Sequence, residues 1–140
     1  MYLPPNGASN ASFLETLRLM LVHETRDQNG APLGLELAFA TPRGWLRPGR
    51  TISIRDLPTS FGPISYAIES LSSSVRVSID IPSRAPLRSL SLRLRLPRGD
   101  RIVHVKAGNR LFPRSSHHSN TFDLSGLAGR VHLVARVGRL

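Results

Sequence analysis

Residues 74–96 constrain the fold more tightly than any other stretch. They read Ser-Val-Arg-Val-Ser-Ile-Asp-Ile-Pro, a short linker, then Leu-Ser-Leu-Arg-Leu-Arg-Leu. Both halves alternate apolar with polar residues, the period of a strand with one buried face. Val75, Val77, Ile79 and Ile81 share one side of the first, opposite Ser74, Arg76, Ser78 and Asp80. In the second, Leu90, Leu92, Leu94 and Leu96 oppose Ser91, Arg93 and Arg95. Pro82 and Pro97 end the two strands, because proline has no amide to give to a central ladder. With Ser83 to Pro86 read as a turn, the two are expected to pair antiparallel, and the other strands to add to that pair.

The flanking sequence repeats the pattern. Ser12 and Glu15 have capping-box spacing, so a short helix is expected from Ser12, after a flexible lead-in over 1–11 and as the start of one β-sandwich domain over 12–140. Residues 19–24 and 33–40 make a hairpin around Asn29-Gly30, with Leu35, Leu37 and Phe39 inward. Thr41 is placed to cap one helical turn with Pro42 at its first position. Strands follow at 51–56 and 64–70. After residue 100 come a strand with Val103 and Val105 inward, a short strand at 121–124 and a last one over 131–137. The Arg98-Gly99-Asp100 triplet reads as an ordinary turn rather than an adhesion motif. The sum is an all-β antiparallel sandwich of about eight to nine strands with one short N-terminal helix; a closed barrel is the alternative.

A chain of 140 residues can bury a single core, and with 20% charged residues it has the composition of a globular domain. It contains no cysteine, which excludes disulfides and thiolate chemistry. Neither a signal peptide nor a transmembrane segment is recognisable, no membrane partner is expected, and the compartment stays open. The net charge of +10 comes almost wholly from arginine, Lys106 being the one lysine. The arginines are scattered singly, so a solvated surface is favoured over a dedicated polyanion or nucleic-acid face.

Catalytic patterns are weak. The nine carboxylates have no pairing implied by spacing, and Gly-x-Ser-x-Gly and phosphate-cradling loops are absent. His104, His117, His118 and His132 are the residues a metal-dependent reading would use. No cofactor is expected. Trp45 suits either a plug on the core or a stacking platform.

In order, Leu-Arg-Leu-Met-Leu-Val-His-Glu (17–24), Ala-Thr-Pro-Arg-Gly-Trp-Leu (40–46), Pro-Thr-Ser-Phe-Gly-Pro-Ile-Ser-Tyr (58–66) and Leu-Arg-Leu-Arg-Leu-Pro (92–97), then a Val-x-Val strand leading to Gly-Asn, form a series. This series resembles the C-terminal β-sandwich domain that follows the six-hairpin, helical-toroid catalytic domain of some large bacterial glycosidase-like proteins. The resemblance implies a non-catalytic accessory module that packs on a catalytic domain or parent chain, or weakly binds glycan. For glycan, Trp45, Tyr66 and Phe112 are the aromatic candidates, and Arg43, Arg93 and Arg95 the groups for an acidic sugar. The alternatives are a small histidine-metal enzyme acting on polysaccharide and a basic module binding nucleic acid or other polyanions.

Overall fold

The computed structural model describes residues 7–116 and 119–139. Among these, one α-helix, α1 (Gly7–Leu21), precedes eleven strands that form two sheets. The smaller sheet contains β1 (Val22–Arg26), β2 (Pro32–Leu37), β6 (Ser89–Arg93), β9 (Arg114–Ser116) and β10 (Ser119–Asp123), in the order β1-β2-β6-β10-β9. The larger contains β3 (Thr51–Leu57), β4 (Ile64–Ser70), β5 (Ser74–Asp80), β7 (Asp100–Ala107), β8 (Arg110–Phe112) and β11 (Arg130–Arg139), in the order β3-β4-β5-β11-β7-β8. The expected all-β sandwich is therefore present, and the three-residue strands β8 and β9 account for the excess over the expected strand count.

The helix starts earlier than the capping box indicates. Ser12 lies inside it, and its carbonyl accepts from the Thr16 hydroxyl at 2.8 Å. Residues 7–11, assigned to the flexible lead-in, are helical. Ala8 and Ala11 favour that extension, whereas Gly7, Ser9 and Asn10 do not, so local propensity alone does not account for it. At the other end Val22 enters β1 without a loop. The final carbonyls, which a helix leaves without internal partners, are taken up by tertiary contacts. Leu21 O accepts the Ala38 amide and the Tyr66 hydroxyl, each at 2.8 Å, and Met20 O accepts the Ala40 amide at 3.3 Å.

The expected pairing of the two strands at 74–96 is overturned. β5 lies between β4 and β11 in the larger sheet, whereas β6 lies in the smaller one, antiparallel to β10 and parallel to β2. The intervening residues 81–88 cross the edge of the sandwich instead of turning back. Their amides are satisfied in passing: Ile81 N bonds Gly129 O at 3.0 Å, Arg84 N bonds Phe61 O at 3.0 Å, and Arg88 N bonds Leu33 O at 3.2 Å. Both amphipathic strands are thus inward-facing, but from opposite sheets. In the parallel pair Gly34 stands opposite Ser89 and Leu37 opposite Leu92.

Leu35, Leu37, Leu90, Leu92, Leu94, Leu96 and Phe122 of the smaller sheet's side are fully buried against Ile64, Tyr66, Ile68, Val75, Val77 and Ile79. Alternation fails at two places for identifiable reasons. Ala38 has φ 54°, a left-handed conformation that breaks the strand's parity, so Ala38 is buried and Phe39, expected inward, turns outward. In β7 the ladder with β11 shifts register between Arg136 and Val137, a bulge that puts both Ile102 and Val105 inward and leaves Val103 exposed, against expectation. The turn after β2 is also corrected. It is a 3-10 turn, Arg43–Leu46, preceded by Pro42 without a side-chain cap, and the buried Thr41 hydroxyl points back to Ala38 O at 3.4 Å. Leu46 rather than Trp45 is the buried plug, its carbonyl accepting from the Ser70 hydroxyl at 2.8 Å.

One carboxylate links the sheets. Glu24 of β1 accepts the Ser60 amide at 2.9 Å and its hydroxyl at 2.7 Å, from the loop between β3 and β4. Burial alone would raise the Glu24 pKa, but the Ser60 bonds and the Arg26 and Arg18 charges hold it below the ordinary glutamate value. A lowered folded-state pKa contributes stability that is complete above the unfolded-state value, about 4.3, and is lost as pH falls through the folded-state value. The melting-temperature difference between the wild type and Glu24→Gln is therefore expected to be largest near neutral pH and to shrink on acidification below about pH 4. A difference that stays constant down to pH 3 would show that the clamp does not need the ionised carboxylate.

Candidate functional site

The outer face of β6 carries the residues opposite its leucines, namely Ser91, Arg93 and, just past the ladder, Arg95. Two adjoining segments complete a cluster around them. The left-handed turn at Ala38 directs Phe39 outward, where it is 40% exposed, and the 3-10 turn presents Arg43. The guanidinium carbon of Arg93 lies 5.3 Å from the Phe39 ring centroid, and its Nη1 donates to Phe39 O at 3.2 Å. Arg95 Nη1 donates to Thr41 O at 3.2 Å, and Arg43 Nη1 donates to Leu96 O at 2.7 Å. His23 of β1 stacks on Phe39 with ring centroids 6.0 Å apart and pairs through Nδ1 with Glu36 Oε2 at 2.7 Å.

Three guanidinium groups therefore converge while each satisfies only a backbone carbonyl. Among the described residues, the carboxylate ion pairs are His23–Glu36, Arg26–Glu24, Arg76–Glu69 and Arg130–Asp80, and none includes Arg43, Arg93 or Arg95. Glu36 is the acid that acts on Arg93, and it is already engaged by His23. Burial, followed by the charges of Arg95 and Arg43, lowers the pKa of Arg93, and Glu36 offsets only part of this. Arg95 Nε is buried without an acceptor. A guanidinium has five N–H donors, and each of these three places one of them on a backbone carbonyl. Donors in a planar fork match carboxylate, sulfate and phosphate oxygens, and an anion in this position would also relieve the mutual repulsion.

The remaining predicted site residues do not join this cluster. Trp45, 37% exposed, follows Arg43 in the 3-10 turn but lines a separate groove beside Leu17 and Leu21 of α1. Tyr66 is buried in the core with its hydroxyl on Leu21 O, and burial pushes its phenol well above the usual tyrosine value. Phe112 is buried at β8 beneath the Arg110 guanidinium, 4.9 Å from its ring centroid. The three aromatics expected to contact sugar therefore form no common platform. Of the histidines, His132 pairs with Ser78 and His104 with Arg136, four positions apart along β11, or about 13 Å. His117 and His118 lie outside the described residues, and among those described no three His, Asp or Glu side chains are grouped to hold a metal.

A shallow hollow of about 500 Å³ on the outer face of the larger sheet includes Ser53, Ser65, Ser78, His132, Asp80 and Arg130. Two of its charges, Asp80 and Arg130, are paired. Arg130 donates to both Asp80 oxygens, at 2.7 and 3.2 Å, and holds that carboxyl below the usual aspartate range. Ser78 Oγ lies 3.0 Å from His132 Nδ1, but β5 has a strand on each side, so its amides belong to ladders rather than to an oxyanion hole.

Phe39, His23 and Glu36 are the members of the arginine cluster that sequence reasoning missed. Alternation placed Phe39 inside, and nothing local to residues 33–40 signals the turn at Ala38. Comparison with known proteins finds no matching family model, no matching curated protein and no matching solved structure.

Proposed function

We propose that this chain is a non-catalytic β-sandwich module that binds oxyanion-bearing polymer, an acidic glycan foremost, through Arg43, Arg93 and Arg95 beside Phe39. One observation carries the reading: Arg43, Arg93 and Arg95 stand together, among the described residues none of them is in a carboxylate ion pair, and burial and the two neighbouring charges act on Arg93. Like charges gathered on one face repel each other, and a bound anion relieves that repulsion. The resemblance of the ordered motifs to an accessory domain of glycosidase-like proteins directs the reading to glycan, and the arginines direct it to glycan bearing uronate carboxylates. The cluster is compact and has one exposed aromatic, Phe39, where single-strand nucleic-acid sites use a basic track with several stacking rings.

The test is a titration of polygalacturonate, a neutral glucan and duplex DNA at low and high salt, with wild type and Arg93→Gln/Arg95→Gln. Polygalacturonate is expected to bind, more weakly as salt rises, and the double variant to lose at least about tenfold in affinity, or about 1.4 kcal/mol. Arg101→Gln/Arg110→Gln, which removes the same charge elsewhere, is expected to lose far less. Saturating polyuronate should also raise thermal stability, by about 2.7 kcal/mol at a hundredfold excess over Kd. Affinity that follows total charge, equal for DNA and for both double variants, would overturn the assignment of the cluster and leave a nonspecific basic surface.

A further inference from the structure

We infer that the groove between α1 and the 3-10 turn docks a segment of another protein that presents apolar anchors flanked by carboxylates. The groove, about 640 Å³, has Leu17, Leu21, Trp45 and Ile52 on its apolar side and Arg47 and Arg50 at its rim. It continues onto the helix beyond the sandwich. Leu14, Leu17 and Leu21 are spaced i, i+3, i+7 and fall on one helix face with Phe13. Leu21 packs on the core, whereas Phe13 is 67% exposed and Leu14 63%. A helix on the surface of a sandwich ordinarily turns such a stripe inward. Here only its C-terminal end is covered, so an apolar strip runs from the groove into solvent.

Charge selects the occupant. Neither Arg47 nor Arg50 is in an ion pair among the described residues, and each rim guanidinium can reach a carboxylate brought by a ligand. A second copy of this chain would set these arginines against each other on molecules of charge +10, which opposes self-association. An amphipathic segment with acidic flanks supplies both the apolar cover and the opposite charge, the arrangement of a helix laid in a groove. This surface does not depend on the Arg43, Arg93 and Arg95 cluster. Within the 3-10 turn, Arg43 reaches Leu96 while Trp45 lines the groove with α1.

Trp45 is the single tryptophan in the chain, so its emission reports occupancy directly. The probes are two tryptophan-free helical peptides with leucines at i, i+3, i+4 and i+7, one with glutamate and one with lysine at the remaining positions, and vesicles containing phosphatidylserine. The Leu/Glu peptide is expected to blue-shift the emission saturably and the Leu/Lys peptide to leave it unchanged. Arg47→Glu/Arg50→Glu is expected to weaken the Leu/Glu peptide at least tenfold and to admit the Leu/Lys peptide, whereas Arg101→Gln/Arg110→Gln, which removes two positive charges away from both surfaces, is expected to bind the Leu/Glu peptide as the wild type does. Absence of a saturable shift with the Leu/Glu peptide, or equal shifts with both peptides, would overturn the inference. A response to the vesicles alone would reassign the surface to anionic lipid.

Discussion

Gly34→Ala is expected to destabilise the protein by at least about 3 kcal/mol, at the severe end for a single added methyl group. A Cβ at Gly34 would stand 2.2 Å from Ser89 O and 2.6 Å from Ser89 Cβ, far inside contact distance. The nearest atom is backbone, in the parallel pairing that joins β2 to β6, so no rotamer change relieves the clash. Relief requires the two strands to separate, and with them the central ladder of the smaller sheet. Ser89→Gly is accordingly not expected to rescue the variant, because it leaves the carbonyl oxygen in place. Urea denaturation of the two single variants and the double variant is the measurement. A loss below about 1 kcal/mol in Gly34→Ala would contradict the close parallel pairing of β2 with β6.

Phe122→Ala is expected to cost about 3–5 kcal/mol, the range for emptying a fully buried aromatic site. Phe122 lies on β10 opposite Leu92 and is completely buried, and its strand sits between β6 and the short edge strand β9. A chain of 140 residues with ordinary stability has a total margin of about 5–15 kcal/mol, so this single truncation removes a large fraction of it. Phe122→Leu, which keeps most of the volume, should recover more than half of the loss. Truncation at the exposed Phe39, by contrast, is expected to leave stability nearly unchanged and so separates core from site. If Phe122→Ala proved as mild as Phe39→Ala, β10 could not be part of the core layer described here.

The outer-face positions of Arg93 and Arg95 were legible in the sequence, because they alternate with Leu90, Leu92, Leu94 and Leu96, all buried. Their convergence with Arg43 and Phe39 was not. Arg43 lies about fifty positions away in the chain, and it arrives through a 3-10 turn whose position depends on the buried Thr41 and Leu46. Phe39 reaches the site because Ala38 adopts a left-handed conformation, which an alanine does not announce. Tyr66 shows the converse. Its strand and inward side follow from period two, yet only the packed structure gives its hydroxyl a carbonyl at the end of α1 and so removes it from any binding surface.

The amino-acid sequence by itself determined where the longer strands run and which side of most of them is buried, because alternation is a local property and the hydrophobic effect acts on each residue's own surface, whereas the three-residue β8 and β9 are too short to alternate. It also determined the absence of thiol chemistry and the excess of arginine. The hairpin read around Asn29-Gly30, β1 with β2, is present, but tertiary structure alone decided the neighbours of the other strands. The two best-patterned strands, β5 and β6, are adjacent in sequence and were expected to pair, but residues 81–88 carry the chain from one sheet to the other. An inward face is buried alike in either sheet of a sandwich, so alternation cannot tell which sheet a strand joins. That choice rests on distant contacts, on the amides of Ile81, Arg84 and Arg88 and on the close approach at Gly34, which bring three arginines and one phenylalanine to the same face.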